Sequence, residues 1–181
     1  HLWDAESDAY NLPFVRRLFP GQRMALLTLA HRRIGLIVPP GNPQQITRLE
    51  DLARPGVTFV NRQPGSGTRV WLDVQLRRLG IHPQDIAGYP DERRTHSEVA
   101  ASIAKGQGSA GLGVQTAALA FGLDFIFLNT ERYELVMPYK VWERPAMQSL
   151  QRWLATPEAH RVIQELGGYE VTETGRLAWS D

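Results

Sequence analysis

The chain has 181 residues, 43% of them hydrophobic and 22% charged, with 20 basic side chains against 19 acidic ones and no cysteine. That composition is ordinary for a globular protein and long enough for one substantial core or for two small lobes. The lack of any thiol excludes disulfide frameworks, thiolate metal sites and cysteine nucleophiles, and a net charge of +1 supplies no global field for nucleic acid or an anionic membrane.

In chain order, Leu12–Leu18 reads as a short helix within an otherwise irregular opening segment. Met24–Ala30 and Ile34–Val38 are apolar runs separated by His31-Arg-Arg33, the pattern of two strands covered on both faces. A loop at Gly41-Asn-Pro43 leads to a short helix over Ile46–Leu52 and a buried strand over Val57–Val60. A glycine-bounded loop then opens a helix over Val70–Leu79, which Gly80 stops. Ile86–Tyr89 is expected as a strand, and Thr95-His-Ser-Glu98 as a capping box opening a helix that ends at Gly106. Further on, Ser109–Gly113 is a strand, Val114–Phe121 a helix, and Asp124–Leu128 and Arg132–Pro138 two more strands. Pro145–Leu154 and Pro157–Leu166 are helices, the second with Thr156 as N-cap. Strands alternating with helices of about three turns predict an α/β protein with a mostly parallel sheet. The uncharged stretch Gly106–Leu123 is punctuated by glycines and polar residues, so it reads as soluble structure.

The segment richest in chemistry is Val60-Asn-Arg-Gln-Pro-Gly-Ser-Gly-Thr-Arg69. With Ser66 as N-cap, the backbone N–H groups of Gly67, Thr68 and Arg69 have no intrahelical acceptor, and the helix dipole favours an anion in front of them. The Ser66 and Thr68 hydroxyls add donors, and Arg62 and Arg69 flank the loop. A cation in the first helical turn asks for a negative partner. The plainer alternative is that Ser66 only caps the helix and both arginines are solvated. Other phosphate motifs fail: there is no Gly-Lys dipeptide, and Gly111-Leu-Gly113-Val-Gln-Thr116 breaks the dinucleotide fingerprint. The spacing of a nucleophile elbow is missed too, because glycine flanks Ser66 on both sides. The five histidines, His1, His31, His82, His96 and His160, form no i, i+4 pair, so no metal site is expected and none of the carboxylates is paired for catalysis.

Several segments carry a resemblance in their order along the chain: Phe59–Arg69, Thr95-His-Ser-Glu-Val-Ala100, Gly111-Leu-Gly113, Gly122-Leu-Asp-Phe125, Glu131-Arg-Tyr-Glu-Leu-Val136 and Leu166-Gly-Gly-Tyr169. Together they resemble the periplasmic-binding-protein-like domain of prokaryotic molybdate-type regulators. That family looks like type 2 periplasmic binding proteins placed in the cytoplasm, behind a helix-turn-helix segment or fused to a molybdopterin-biosynthesis enzyme. The resemblance implies two α/β lobes with crossing strands. Residues 24–130 would form mainly lobe two, 1–23 and 131–181 the hinge and the remainder of lobe one, and the N-terminal part of lobe one would be missing. It implies molybdate or tungstate held noncovalently in an interlobe cleft, no further cofactor, and no catalysis. Asn61, Arg62, Gln63, Ser66, Gly67, Thr68 and Arg69 match the anion-facing loop, with Thr95, His96, Gly111 and Gly113 as further cleft residues. The expected role is a cytoplasmic sensor domain that touches DNA only through a segment outside this chain, makes no membrane contact and is compatible with a homodimer. Three other readings stand beside it: a solute-binding protein of an oxyanion transporter, a hydrolase using Ser66 and His96, and an interaction domain without ligand.

Overall fold

The computed structural model describes residues 1–180. Along the chain come β1 (Trp3–Asp4), β2 (Ala9–Tyr10), α1 (Leu12–Leu18), β3 (Met24–Val38), β4 (Phe59–Arg62), α2 (Gly67–Arg78), β5 (Glu92–Arg93) and α3 (His96–Ala104). Then follow β6 (Ala110–Val114), α4 (Gln115–Ala120), β7 (Asp124–Pro138), α5 (Tyr139–Trp142), α6 (Pro145–Leu154), α7 (Pro157–Glu165), β8 (Tyr169–Glu170) and β9 (Leu177–Trp179). The described residues divide into two compact units: unit 1 is 1–32 with 130–180, and unit 2 is Arg33–Asn129. The chain passes from one unit to the other within β3 and again within β7.

Both connecting strands depart from the sequence reading, which breaks each into two. The charged run His31-Arg-Arg33 does not interrupt β3, because the buried Arg32 guanidinium pairs with Glu131 and lies 4.3 Å over the Tyr133 ring. A flat cation with a carboxylate and an aromatic face can occupy a buried strand position where an unpaired charge could not. The sheet is mixed, not mostly parallel: β3 runs antiparallel to β6, β8 and β9, while β4 runs parallel to both β5 and β6. The expected strand at Ile86–Tyr89 is irregular, and strand geometry is reached only at Glu92. The main chain there still follows β4, since the Phe59 and Asn61 N–H groups donate to the Ala87 and Asp91 carbonyls at 2.8 and 2.7 Å. Of the expected helix at Ile46–Leu52, only a 3-10 turn over Leu49–Ala53 forms.

Unit 1 buries Ala25, Leu27, Met137, Trp142 and Leu154 in one cluster, with Leu150, Ile163, Leu177 and Trp179 packed against it. The strongly one-sided apolar faces of α6 and α7 supply Leu150, Leu154 and Ile163, as the spacing of their apolar residues requires. A smaller cluster joins Val15 of α1 to Met24 and Leu26. In unit 2 the buried side chains include Ile34, Leu36 and Ile37 from β3, Phe59 from β4, Leu72 and Leu76 from α2, Ile103 from α3 and Leu112 from β6. Helices α2 and α3 both pack on β4 and β6. Each fully buried side chain of this size contributes about 1.5–3 kcal/mol over its exposed state.

Close backbone approach sets the glycine positions. A Cβ at Gly35 would stand 2.0 Å from the Ile126 carbonyl oxygen of β7, so Gly35→Ala must force main chain apart. The expected cost is about 1–3 kcal/mol, read as a lower urea midpoint; a wild-type midpoint would show that the strands part freely. In unit 1, hydrogen bonds to Asp4 from the Ser7 hydroxyl (2.7 Å), from Arg17 (2.7 Å) and from the Ser7 N–H hold its carboxyl down from 3.8 to about 2. A carboxyl lowered on folding stabilises the protein above its ordinary value and loses that contribution as pH falls through the folded one. Acid unfolding of Asp4→Asn should therefore lack part of the wild-type slope between pH 3.8 and about 2, and coincident curves would refute the assignment.

Candidate functional site

Unit 2 sets three parallel strand ends side by side. In register, Phe59 and Val60 of β4 face Ala110 and Gly111 of β6, while Asn61 and Arg62 face Glu92 and Arg93 of β5. Each strand runs at its carboxyl end into a helix, β4 into α2, β5 into α3 and β6 into α4. The strand order is β5-β4-β6-β3-β7. The chain thus leaves β4 toward β5 on one side and leaves β6 toward β7 on the other. In open α/β sheets ligands bind outside the carboxyl ends of strands where the connections diverge in this way, here between β4 and β6.

The loop after β4 is shaped for a sharp entry into α2. Gly65 takes φ +81°, a conformation that favours glycine, and the Ser66 N–H donates to the Gln63 carbonyl at 3.3 Å. Ser66 is the N-cap, as the sequence indicates, and its Oγ accepts the Arg69 N–H at 3.3 Å. The first intrahelical bond runs from Val70 N–H to the Ser66 carbonyl. The N–H groups of Gly67 and Thr68 therefore have no acceptor within the helix. The Thr68 side chain is fully buried, and its Oγ1 has no hydrogen-bond partner among the described residues. A hydroxyl in that state has given up water and gained nothing, at a cost of roughly 1–3 kcal/mol.

Beside this turn the Arg62 guanidinium, 8% exposed, lies across His96. Its Nη1 is 2.8 Å from both ring nitrogens, and Nη2 donates to the Arg94 carbonyl at 2.8 Å. His96 is held there by the start of α3, where Thr95 Oγ1 accepts the Glu98 N–H and Glu98 Oε2 accepts the N–H groups of Thr95 and Arg94. Gly113 lies under the same ring, and a Cβ on it would stand 3.7 Å from His96 Nδ1.

The remaining sequence candidates fall into structural places. Arg69 is committed to partners of its own chain: Nε donates to Asp73 Oδ1 at 2.8 Å, Nη1 donates to the Arg62 carbonyl at 2.9 Å and lies 3.6 Å from Glu92 Oε1, and the guanidinium carbon lies 4.2 Å over the Tyr89 ring. The negative partner that a cation in the first turn demands is thus an internal carboxylate one helical turn on. The Tyr89 hydroxyl donates to the same Asp73 oxygen at 2.6 Å, and burial together with that carboxylate pushes the phenol above its ordinary range. Fully buried Asn61 is spent on main chain, Nδ2 on the Tyr89 carbonyl and Oδ1 on the Arg62 N–H. Gln63 is exposed and hydrogen-bonds through its N–H to the Arg93 carbonyl. Gly111 and Gly113 admit close neighbours, for added Cβ atoms would stand 2.4 Å from Val99 and 2.5 Å from Ile37.

Two features escaped the sequence reading. The Asp73 and Tyr89 anchors of Arg69 were legible in part, since Asp73 stands at i+4. Gln115, the first residue of α4, buries an Oε1 without a partner among the described residues, and only its place after the glycine strand could have signalled it. Among the described residues no group of three or more His, Asp or Glu side chains could hold a metal ion, and no helix is long and apolar enough to cross a membrane. Unit 1 carries a cavity of about 430 Å³ lined by Asp8, Tyr10, His31, Thr130 and Arg132, among others. Its Arg132 is already bonded to Glu173 at 2.6 Å.

Comparison with known proteins places this architecture. YvgK of Bacillus subtilis (strain 168) is 37% identical over 177 residues, which cover 98% of this chain and 57% of YvgK, so the chain spans little more than half of that relative's length. The tungstate ABC transporter structure from Geobacter sulfurreducens superposes with a TM-score of 0.63 at 17% identity, over 84% of this chain and 72% of that one. The sulfate-binding protein SubI of Mycobacterium tuberculosis H37Rv gives 0.57 at 16% identity, over 78% of this chain and 57% of its own. At these identities the two structures establish a shared fold, that of type 2 solute-binding proteins. The PBP superfamily domain profile matches residues 1–155, and with that match over most of its length the chain belongs to the PBP superfamily domain family.

Proposed function

We propose that the chain binds a small tetrahedral oxyanion noncovalently at the start of α2. The observation that carries this reading is the buried Thr68 hydroxyl without a partner, set beside the Gly67 and Thr68 N–H groups that the helix leaves open. Fixed neutral donors of this kind hold an oxyanion without a full countercharge. The Ser66 hydroxyl, whose oxygen already accepts from Arg69, has its own proton left to donate, and Arg62 with His96 supplies the adjacent polar wall. The place between β4 and β6 and the oxyanions named for the tungstate and sulfate proteins of the same fold support the same reading.

Molybdate or tungstate is the ligand we favour. The role that fits the sequence resemblance is a cytoplasmic sensor domain whose occupancy biases a neighbouring DNA-binding or enzymatic segment or a homodimer partner. The second reading, a solute-binding protein of an oxyanion transporter, is favoured by the similarity to the tungstate ABC transporter structure. A hydrolase built on Ser66 and His96 has less support, because the Ser66 oxygen is engaged as the cap of α2 and both His96 ring nitrogens lie 2.8 Å from an arginine donor. The coding sequence upstream of His1 separates the first two roles: helix-turn-helix residues there mean a regulator, and an export signal means transport.

Thermal unfolding with molybdate, tungstate, sulfate and phosphate tests the binding itself. A ligand at a hundred times its dissociation constant stabilises by about 2.7 kcal/mol, and at least one of these anions is expected to raise the melting temperature. Thr68→Val should leave the ligand-free protein as stable as wild type or more so, because it removes an unpaired buried hydroxyl, and should cut the response to the anion. Silence toward every anion, or an unaltered response in Thr68→Val combined with Ser66→Ala, would end this reading.

A further inference from the structure

Arg69 lies at the start of α2 with its side chain only 8% exposed, and its partners are groups of its own chain. Asp73, Glu92 and the Tyr89 ring surround the guanidinium, and the Tyr89 hydroxyl fixes the Asp73 carboxylate that receives it. From this cluster the side chain also reaches the loop, Nη1 donating to the carbonyl of Arg62, the last residue of β4 before the turn into α2. We infer that Arg69 is a positioning residue, a brace that fixes the Arg62–Ser66 loop so that the open N–H groups of α2 keep their direction, and not a cation that touches the ligand. The inference rests on the α2 turn being the binding site.

The bonds explain why arginine is suited to this position. One side must reach a carboxylate at i+4 while another nitrogen reaches a carbonyl seven residues back, and the flat group must also lie on a phenol ring. A guanidinium offers donors on several edges of one plane, whereas an ammonium is a point charge on a flexible stem. Lysine would preserve the charge and lose the span. The brace also gives Tyr89 and Asp73 a part in binding, although both line a separate cavity of about 300 Å³ together with Leu76, Ile81 and two other residues.

Arg69→Lys separates a brace from a ligand contact. As a brace, Arg69→Lys weakens the best-binding anion of the thermal screen by about tenfold or more in calorimetric titration, and Tyr89→Phe, which keeps the ring, weakens it by a smaller factor. Before any anion is added, amide exchange at Gly65–Thr68 should already be faster in Arg69→Lys, with exchange in the β4 strand unchanged. If Arg69 touches the anion instead, lysine restores most of the affinity, Tyr89→Phe is neutral and the ligand-free amides exchange as in wild type; that result overturns the inference. Exchange in the ligand-free protein judges the brace even if no anion binds, so failure of the binding reading and failure of the brace remain distinguishable. Tyr89→Phe also serves if Arg69→Lys does not fold.

Discussion

The arrangement of unit 2 depends on a missing side chain. A Cβ at Gly111 would stand 2.4 Å from Val99, so only glycine in β6 lets α3 lie this close to the sheet. The depth of α3 decides where its first turn ends up, and that turn carries His96 to the guanidinium of Arg62. Gly113 repeats the device two residues further on, beneath Ile37 and the His96 ring. Gly111 and Gly113, which the resemblance implies as cleft residues, are thus also the positions that let Val99 of α3 and Ile37 of β3 come close to β6.

The local parts of this design were open to reading. Ser66, Thr95 and Thr156 all cap helices as their sequence contexts indicate, because a cap is settled within four residues. The alternation of strands and helices was visible for the same reason. What could not be read are the matters settled at long range. The His31-Arg-Arg33 run looked like a break until Glu131, far along the chain, supplied the charge that lets Arg32 stay buried in β3. Strand direction likewise depends on partners chosen across the sheet, so a mixed sheet and a mostly parallel one look alike from periodicity alone. In the candidate site, the open turn of α2 was legible, whereas the commitment of Arg69 to Glu92 and Tyr89 was not, since neither lies near it in sequence.

Arginine, which makes up 18 of the 20 basic side chains, has a physical use in this fold. Arg17 lies over Phe14, Arg23 over Tyr139 and Trp179, Arg32 over Tyr133, Arg33 over Phe127 and Arg69 over Tyr89, at 4.2–4.8 Å from the ring centroids. Each pair covers an aromatic face with a cation that stays charged over the whole working range of pH. In a chain with no disulfide and small lobes, such pairs extend packing past the apolar clusters.

The internal balance of Arg69 has a consequence for kinetics. A receptor that holds its ligand with an otherwise unpaired buried cation pays a large electrostatic penalty whenever it lets go, and long residence follows. Here Asp73 and Glu92 balance Arg69 from within the protein, so this charge calls for no countercharge from a ligand. For an anion held at the turn of α2 as proposed, that balance favours exchange over storage.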